Sequence, residues 1–170
     1  YYHPICPFSK QIITLIGELG YKYSLIKEEY WRYNKSFIEL SPWRELPVIL
    51  VEGTLIVAGV YPCIEYLMAT RPNFYLFAQD IEALARMRQV INWFNKHFYD
   101  EVLRHILDER MIKLDLKTQY PDTNVLRNAK IALNKHLLQL SAIISSQDYL
   151  TCESLSFADI VAASHLAVLD

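Results

Sequence analysis

The sequence predicts two unlike halves: an α/β domain over residues 1–70 and an all-helical domain over residues 80–170, joined by a linker at 71–79. Three observations carry this division. Up to Thr70, short β-branched and aromatic runs alternate with helical spacings. Arg71-Pro72-Asn73 then interrupts the pattern in the manner of a domain junction. From Asp80 onward, apolar residues recur three or four apart and no strand signal returns.

The elements follow in order. Tyr1 to Ile5 reads as a short strand ending at Cys6-Pro7, and Pro7 suits the first turn of a helix because its missing N–H costs nothing there. Ile12, Ile13, Leu15, Ile16 and Leu19 keep a helical spacing, and Gly20 stops that helix. Tyr23 to Ile26 reads as a second strand, and Trp31 to Leu40 as weakly helical until Ser41-Pro42. Val48 to Val51 and Thr54 to Ala58 flank a turn at Glu52-Gly53 and read as a hairpin. The next helix has Pro62 in its first turn and runs to about Ala69. The order βαβ, helix, hairpin, helix is the thioredoxin-like pattern of four strands.

In the second half, Leu84, Met87, Ile91, Phe94, Phe98, Val102 and Ile106 draw one apolar stripe along a helical stretch from Asp80 to about Asp115. Pro121-Asp122 is a turn. Leu126 to Ile144 reads as an amphipathic helix through Ile131, Leu133, Leu137, Leu138 and Ile144. Ser156 to Leu169 reads as another. A chain that opens inside a strand at Tyr1 and stops at Asp170 on an apolar helix reads as a piece of a longer protein.

Composition narrows the function. Of 170 residues, 52% are hydrophobic and 21% charged, an ordinary globular balance, and the net charge of −2 offers no excess of cations for a phosphate backbone or an anionic membrane surface. Nucleic-acid and membrane partners are not expected. No apolar run reaches the ~18 residues of a membrane-spanning helix, and no secretory signal opens the chain. Cys6, Cys63 and Cys152 are too few and too widely spaced for a disulfide framework and suit a reducing cytoplasm. His3, His97, His105, His136 and His165 show no metal-ligand spacing. His97 and Glu101, one turn apart, read as a solvated helix face.

Cys6-Pro7-Phe8-Ser9 carries the chemistry. At a strand-to-helix junction, unpaired N–H groups and the positive end of the helix dipole stabilise a thiolate. This placement predicts a solvent-reachable thiol whose pKa falls from ~8.5; the alternative is a buried structural cysteine. Ser9, one turn on, can face the same sulfur. With no second cysteine at position 9, thiol chemistry would need an external thiol. Glu45-Leu46-Pro47-Val48 leads into a strand, where a proline belongs at the first position. A cis Leu46–Pro47 bond would turn the Leu46 backbone outward to pair with an extended peptide, and a trans bond is the plainer reading of the spacing. In Ser156-Phe157-Ala158-Asp159, Ser156 and Asp159 form a helix-capping box, a folding signal rather than an acid–base pair. Trp93 to Tyr99 reads as helix packing.

These motifs, in this order and followed by a helical half, resemble the glutathione S-transferase superfamily over nearly the whole chain. Cys6-Pro7-Phe8-Ser9 resembles the motif of dehydroascorbate reductases and chloride intracellular channel proteins, Leu46-Pro47-Val48 the superfamily's cis-proline element, and Ser156 to Asp159 its N-capping box. Trp93 to Phe98, Glu101-Val102, Asp108-Glu109-Arg110 and Ala162 to Leu166 resemble an alphaproteobacterial, FzlA-like branch that includes a dimer that binds the division polymer FtsZ.

The resemblance implies a two-domain transferase architecture, a cytoplasmic homodimer, and glutathione as co-substrate with no metal. It implies Cys6 and Ser9 as catalytic residues, and Phe8, Arg44, Leu46, Pro47, Gly59 and Val60 around glutathione. One departure stands out. Where relatives hold the γ-glutamyl end with an acidic residue and a hydroxyl, this chain has Gly59 and Val60. Two lost hydrogen bonds to charged groups, at ~1.5–3 kcal/mol each, would weaken a micromolar site toward millimolar. Arg44, where many relatives carry a small residue, is the candidate to replace them. Two functions follow: glutathione-dependent thiol transfer through Cys6, or a non-catalytic dimer that docks a protein such as FtsZ.

Overall fold

The computed structural model describes residues 1–117, 119–151 and 153–169, so Cys152 and Asp170 lie outside the described residues. The chain divides into two compact units, Tyr1–Phe77 and Ala78–Asp170. No helix among the described residues is long and apolar enough to cross a membrane.

In the first unit, α1 (Pro7–Glu18) is entered through Cys6, the residue just before its first turn, and buries Ser9, Gln11, Ile12 and Leu15. A 3₁₀ turn at Tyr30–Arg32 precedes α2 (Lys35–Leu40), capped by the Asn34 side chain, which accepts from the Ser36 N–H at 3.2 Å. Strands β1 (Val48–Val51) and β2 (Leu55–Ala58) pair antiparallel, with Val48 opposite Ala58 and Leu50 opposite Ile56. Gly53, at φ 75, supplies the left-handed conformation that their tight turn needs. Helix α3 (Val60–Thr70) packs on α1 and on both strands.

The expected four strands appear as this hairpin and two short partners. Tyr2 bridges Lys27 in parallel, exchanging Tyr2 N–H to Ile26 O and Glu28 N–H to Tyr2 O, each at 2.9 Å. Tyr1 exchanges both backbone bonds with Val48. The order across the layer is therefore residues 26–28, residues 1–2, β1, β2. The expectation of a strand from Tyr1 to Ile5 is corrected: pairing stops at Tyr2, because Pro4 has no N–H to continue a ladder and His3 accepts from Cys6 N–H at 3.0 Å in a turn instead.

The second unit is helical. Helix α4 (Ile81–Asn92), capped by Asp80, continues without a break through a π-helical segment π1 (Trp93–Leu103), α5 (Arg104–Leu107), a second π segment π2 (Asp108–Ile112) and α6 (Lys113–Leu116). A π turn holds more residues than an α turn. The buried line accordingly slips by one residue: Leu103 and Leu107 are buried, while Ile106, the expected stripe position, is only partly covered. Helix α7 (Thr123–Ile144) packs on π1 and α5. Its expected apolar stripe is not the face it buries. Ile131 and Leu138 are 63% and 73% exposed, and the buried positions are Ala129 and His136. Helix α8 (Phe157–Leu166) is covered nearly all round, as its continuous apolar run demands, and packs on α4 and π1. The Ser156–Asp159 capping box starts it, with Ser156 N–H and Oγ donating to Asp159 Oδ2 at 2.8 and 2.7 Å. The other Asp159 oxygen accepts from Leu150 N–H, so the box also ties down the preceding loop.

Candidate functional site

The first unit brings most of the expected site residues together. Cys6, Leu46, Val48 and Phe37 form one buried cluster, against which Tyr1, Phe8, Tyr30, Leu40 and Ala58 pack. Ser9 is fully buried, and its Oγ accepts from the His3 N–H at 3.3 Å. The Leu46–Pro47 peptide is cis, as the family resemblance implied. Pro47 O accepts from Gly59 N–H at 3.0 Å, which sets the start of α3 beside the Leu46–Pro47 corner. Gly59 takes φ 93, and Val60 opens the helix.

The Cys6 sulfur departs from expectation. Cys6 is 6% exposed, and its Sγ faces the Leu46 carbonyl at 4.0 Å. Burial pushes the thiol up from its ordinary value. Hydrogen bonding from the Ser9 hydroxyl, the Ser9 N–H and the Phe8 N–H pulls the other way and does not win. The expectation of a solvent-reachable, acidified thiol is therefore corrected: desolvation of the thiolate outweighs what the helix terminus offers. Cys63, fully buried in α3, is pushed up to about 12 by the same cause.

Arg44 does not reach toward Gly59. Its guanidinium lies 4.0 Å over the Tyr33 ring, and both residues hold left-handed backbones, at φ 56 and 55. The side chain that does reach the start of α3 is Glu45, which sequence reasoning quoted in the proline motif without giving it a role. A Cβ placed on Gly59 would lie 3.0 Å from Glu45 Oε2. The signal for it, an acidic residue just before Leu-Pro, is too short to read alone. Sequence reasoning also missed a polar group in the second unit. His136, expected nowhere in particular, accepts from Trp93 Nε1 at 2.9 Å and faces Glu101 at 3.3 Å. Among the described residues no cluster of His, Cys, Asp or Glu could hold a metal ion.

No family model matches the chain. A curated relative, FtsZ-localized protein A of Caulobacter vibrioides, is 29% identical over the whole chain and 76% of its own length. Among solved structures, a glutathione S-transferase from Sinorhizobium meliloti 1021 matches with TM-score 0.93 at 29% identity, covering 100% of this chain and 77% of its own. FzlA from C. crescentus matches with TM-score 0.92 at 28% identity, covering 99% and 76%. The thioredoxin-like first unit and the helical second unit are those of this architecture, and in both sequence and fold the chain is similar to the glutathione S-transferase superfamily and, within it, to FzlA.

Proposed function

We propose that this glutathione S-transferase-like protein is a cytoplasmic, homodimeric binding protein that docks the division polymer FtsZ and does not turn over glutathione at Cys6. The observation that carries the choice of binding over catalysis is the closed thiol. A nucleophile must be ionised and reachable, and Cys6 is buried with its thiol pushed up. Whole-chain likeness to an FtsZ-localized protein supports the choice of partner. The test is co-sedimentation with GTP-assembled FtsZ. The chain and its Cys6→Ala variant should pellet equally with polymer, and a chain left in the supernatant overturns the reading.

A second reading keeps the transferase chemistry. It is favoured by the Leu46 N–H, which makes no hydrogen bond among the described residues and stands beside Pro47 as a donor that a peptide carbonyl would satisfy. Here Cys6, assisted by Ser9, attacks a disulfide and releases one thiolate. Glutathione thiolate then displaces Cys6 as a glutathione mixed disulfide. Glutathione would lie against Phe8, Leu46 and Pro47, with its γ-glutamyl end toward Gly59 and Val60. Turnover of hydroxyethyl disulfide that disappears in Cys6→Ala would establish this reading, and unchanged turnover in that variant would end it.

A further inference from the structure

We propose that the outward face of α7 docks an acidic amphipathic helix of a partner protein, through an apolar line at Ile131 and Leu138 and the cations that flank it. The composition of the helix is the first observation. Between Thr123 and Ile144 stand Arg127, Lys130 and Lys135, with no aspartate or glutamate among them. The chain as a whole carries a net charge of −2, so α7 runs against the charge of its own protein.

Packing separates two opposite faces. Ala129 and His136, seven residues apart, share one line along the helix and are its buried positions. Ile131 and Leu138 stand two residues further on, about 200° round the axis, and are 63% and 73% exposed. On that outward face Arg127 lies one turn before Ile131, while Lys130 and Lys135 flank the line on either side, and all three are exposed. Among the described residues none of these cations is in a salt bridge, and Arg127 donates to the neutral Asn124 Oδ1 at 2.8 Å. The neighbouring carboxylates are turned elsewhere. Glu101 faces His136 at 3.3 Å on the buried side, and Asp122 accepts from Asn124 N–H at 2.8 Å at the cap.

Charge and spacing name the occupant. Ile131 and Leu138 are two turns apart, a rise of about 10 Å, which matches side chains seven residues apart on a second helix. An acidic helix laid along this line covers Ile131 and Leu138 with its apolar residues and brings its carboxylates to Lys130 and Lys135. A second copy is a poor occupant, because α7 set against α7 opposes cations to cations. A bilayer fits less well than a helix: the apolar line is narrow, with Asn134 exposed beside it, whereas a helix that lies in a membrane surface presents a broad apolar face. The surface lies within the second unit and is independent of Cys6 and of FtsZ.

The experiment is fluorescence anisotropy of the whole chain with two labelled, alanine-based helical peptides. One has leucine at every seventh position flanked by glutamate, and the other has lysine in place of each glutamate. The parent chain should bind the glutamate peptide at least about tenfold more tightly than the lysine peptide. Leu138→Ser should weaken that binding at least about tenfold, and the double variant Lys130→Glu, Lys135→Glu should invert the preference. Circular dichroism confirms that the variants fold, which their exposed positions favour. No binding of the glutamate peptide, equal binding of the two peptides, or unchanged binding by the variants overturns the proposal. Sedimentation of the parent with phosphatidylserine vesicles that Leu138→Ser abolishes would overturn it in favour of a membrane surface, and a dimer that Leu138→Ser splits in ultracentrifugation would overturn it in favour of a second copy. The assay contains no FtsZ, so its failure leaves the polymer-binding reading standing, and loss of polymer binding leaves this one standing.

Discussion

The Trp93 indole donates its N–H to His136 Nδ1 at 2.9 Å, so the neutral imidazole carries its own proton on Nε2, where Glu101 accepts it at 3.3 Å. His136 is buried on α7 and Trp93 lies on π1, so this one bond joins two helical segments through a side-chain pair. Trp93→Phe should lower the unfolding free energy in urea by about 1–2 kcal/mol, the cost of leaving a buried acceptor unmet. Glu101→Gln should cost less than about 0.5 kcal/mol, because Glu101 is 47% exposed and can exchange its partner for water. Equal losses in the two variants would contradict the assignment of the indole bond as the stronger tie.

His165 gives the fold an acid limit. It is fully buried in α8 against Phe94 and Phe98, and burial depresses its pKa from 6.5 to about 4, against a smaller opposing effect of the Val161 carbonyl. The unfolded ring takes a proton near pH 6.5 and the folded ring resists it until about pH 4, so acid favours the unfolded chain in between. Stability contributed by this site is full above pH 6.5 and declines by roughly 3 kcal/mol by pH 4. Urea midpoints measured across this range should fall, and the fall should flatten in His165→Gln.

Glu109 acts below that window. Its carboxylate accepts from Lys113 Nζ at 2.7 Å on both oxygens and from Asp122 N–H at 2.8 Å, which holds its pKa below 4.5, Lys113 being the larger cause. The folded pKa is depressed, so its contribution is present above 4.5 and lost as pH falls through the folded value. Glu109→Gln should lessen the fall in stability below pH 4.5 and leave the His165 slope above it unchanged.

Cys6 and Cys63 should be slow to react. With both thiols buried and pushed up, iodoacetamide at pH 8 should label Cys6 and Cys63 at least about tenfold more slowly in the native chain than in urea. Rapid native labelling of Cys6, followed by peptide mass, would remove the observation on which the binding reading stands.

Arg44 separates backbone strain from side-chain attraction. A left-handed backbone costs an ordinary residue about 1–2 kcal/mol, and its stacking on Tyr33 returns about 0.5–1. Arg44→Ala keeps the cost and loses the stacking, so it should destabilise by about 0.5–1 kcal/mol. Arg44→Gly loses both and should exceed the alanine variant by about 1 kcal/mol, the reverse of the usual order of the two residues.

The hairpin of β1 and β2, helix α1 with its start at Cys6-Pro7 and the capping box at Ser156 were legible because each is specified by residues close in sequence: β-branched runs about a Gly turn, a proline in a first turn, a hydroxyl three residues before an acid. The first strand was overread, because Pro4 stops a ladder that aromatic composition alone suggests. The stripe of α7 was misassigned because its most apolar face and its buried face differ. Periodicity counts apolar residues and does not register a histidine held inside by Trp93. The π segments were invisible, since a spacing of four keeps side chains near one face in both kinds of turn.

Composition and local pattern determined the two halves, the thioredoxin-like order of elements and the place of Cys6 at a helix start. Only the tertiary structure decided what that place is worth. Whether a thiol ionises depends on water reaching it, and water is excluded by Leu46 and Phe37, forty and thirty-one positions away in the chain. Which side chain lies beside the start of α3 depends on Glu45, fourteen positions before Gly59, whose backbone Ser41 clasps. Desolvation and close approach act through space, and a one-dimensional pattern carries no distances between segments that meet only on folding.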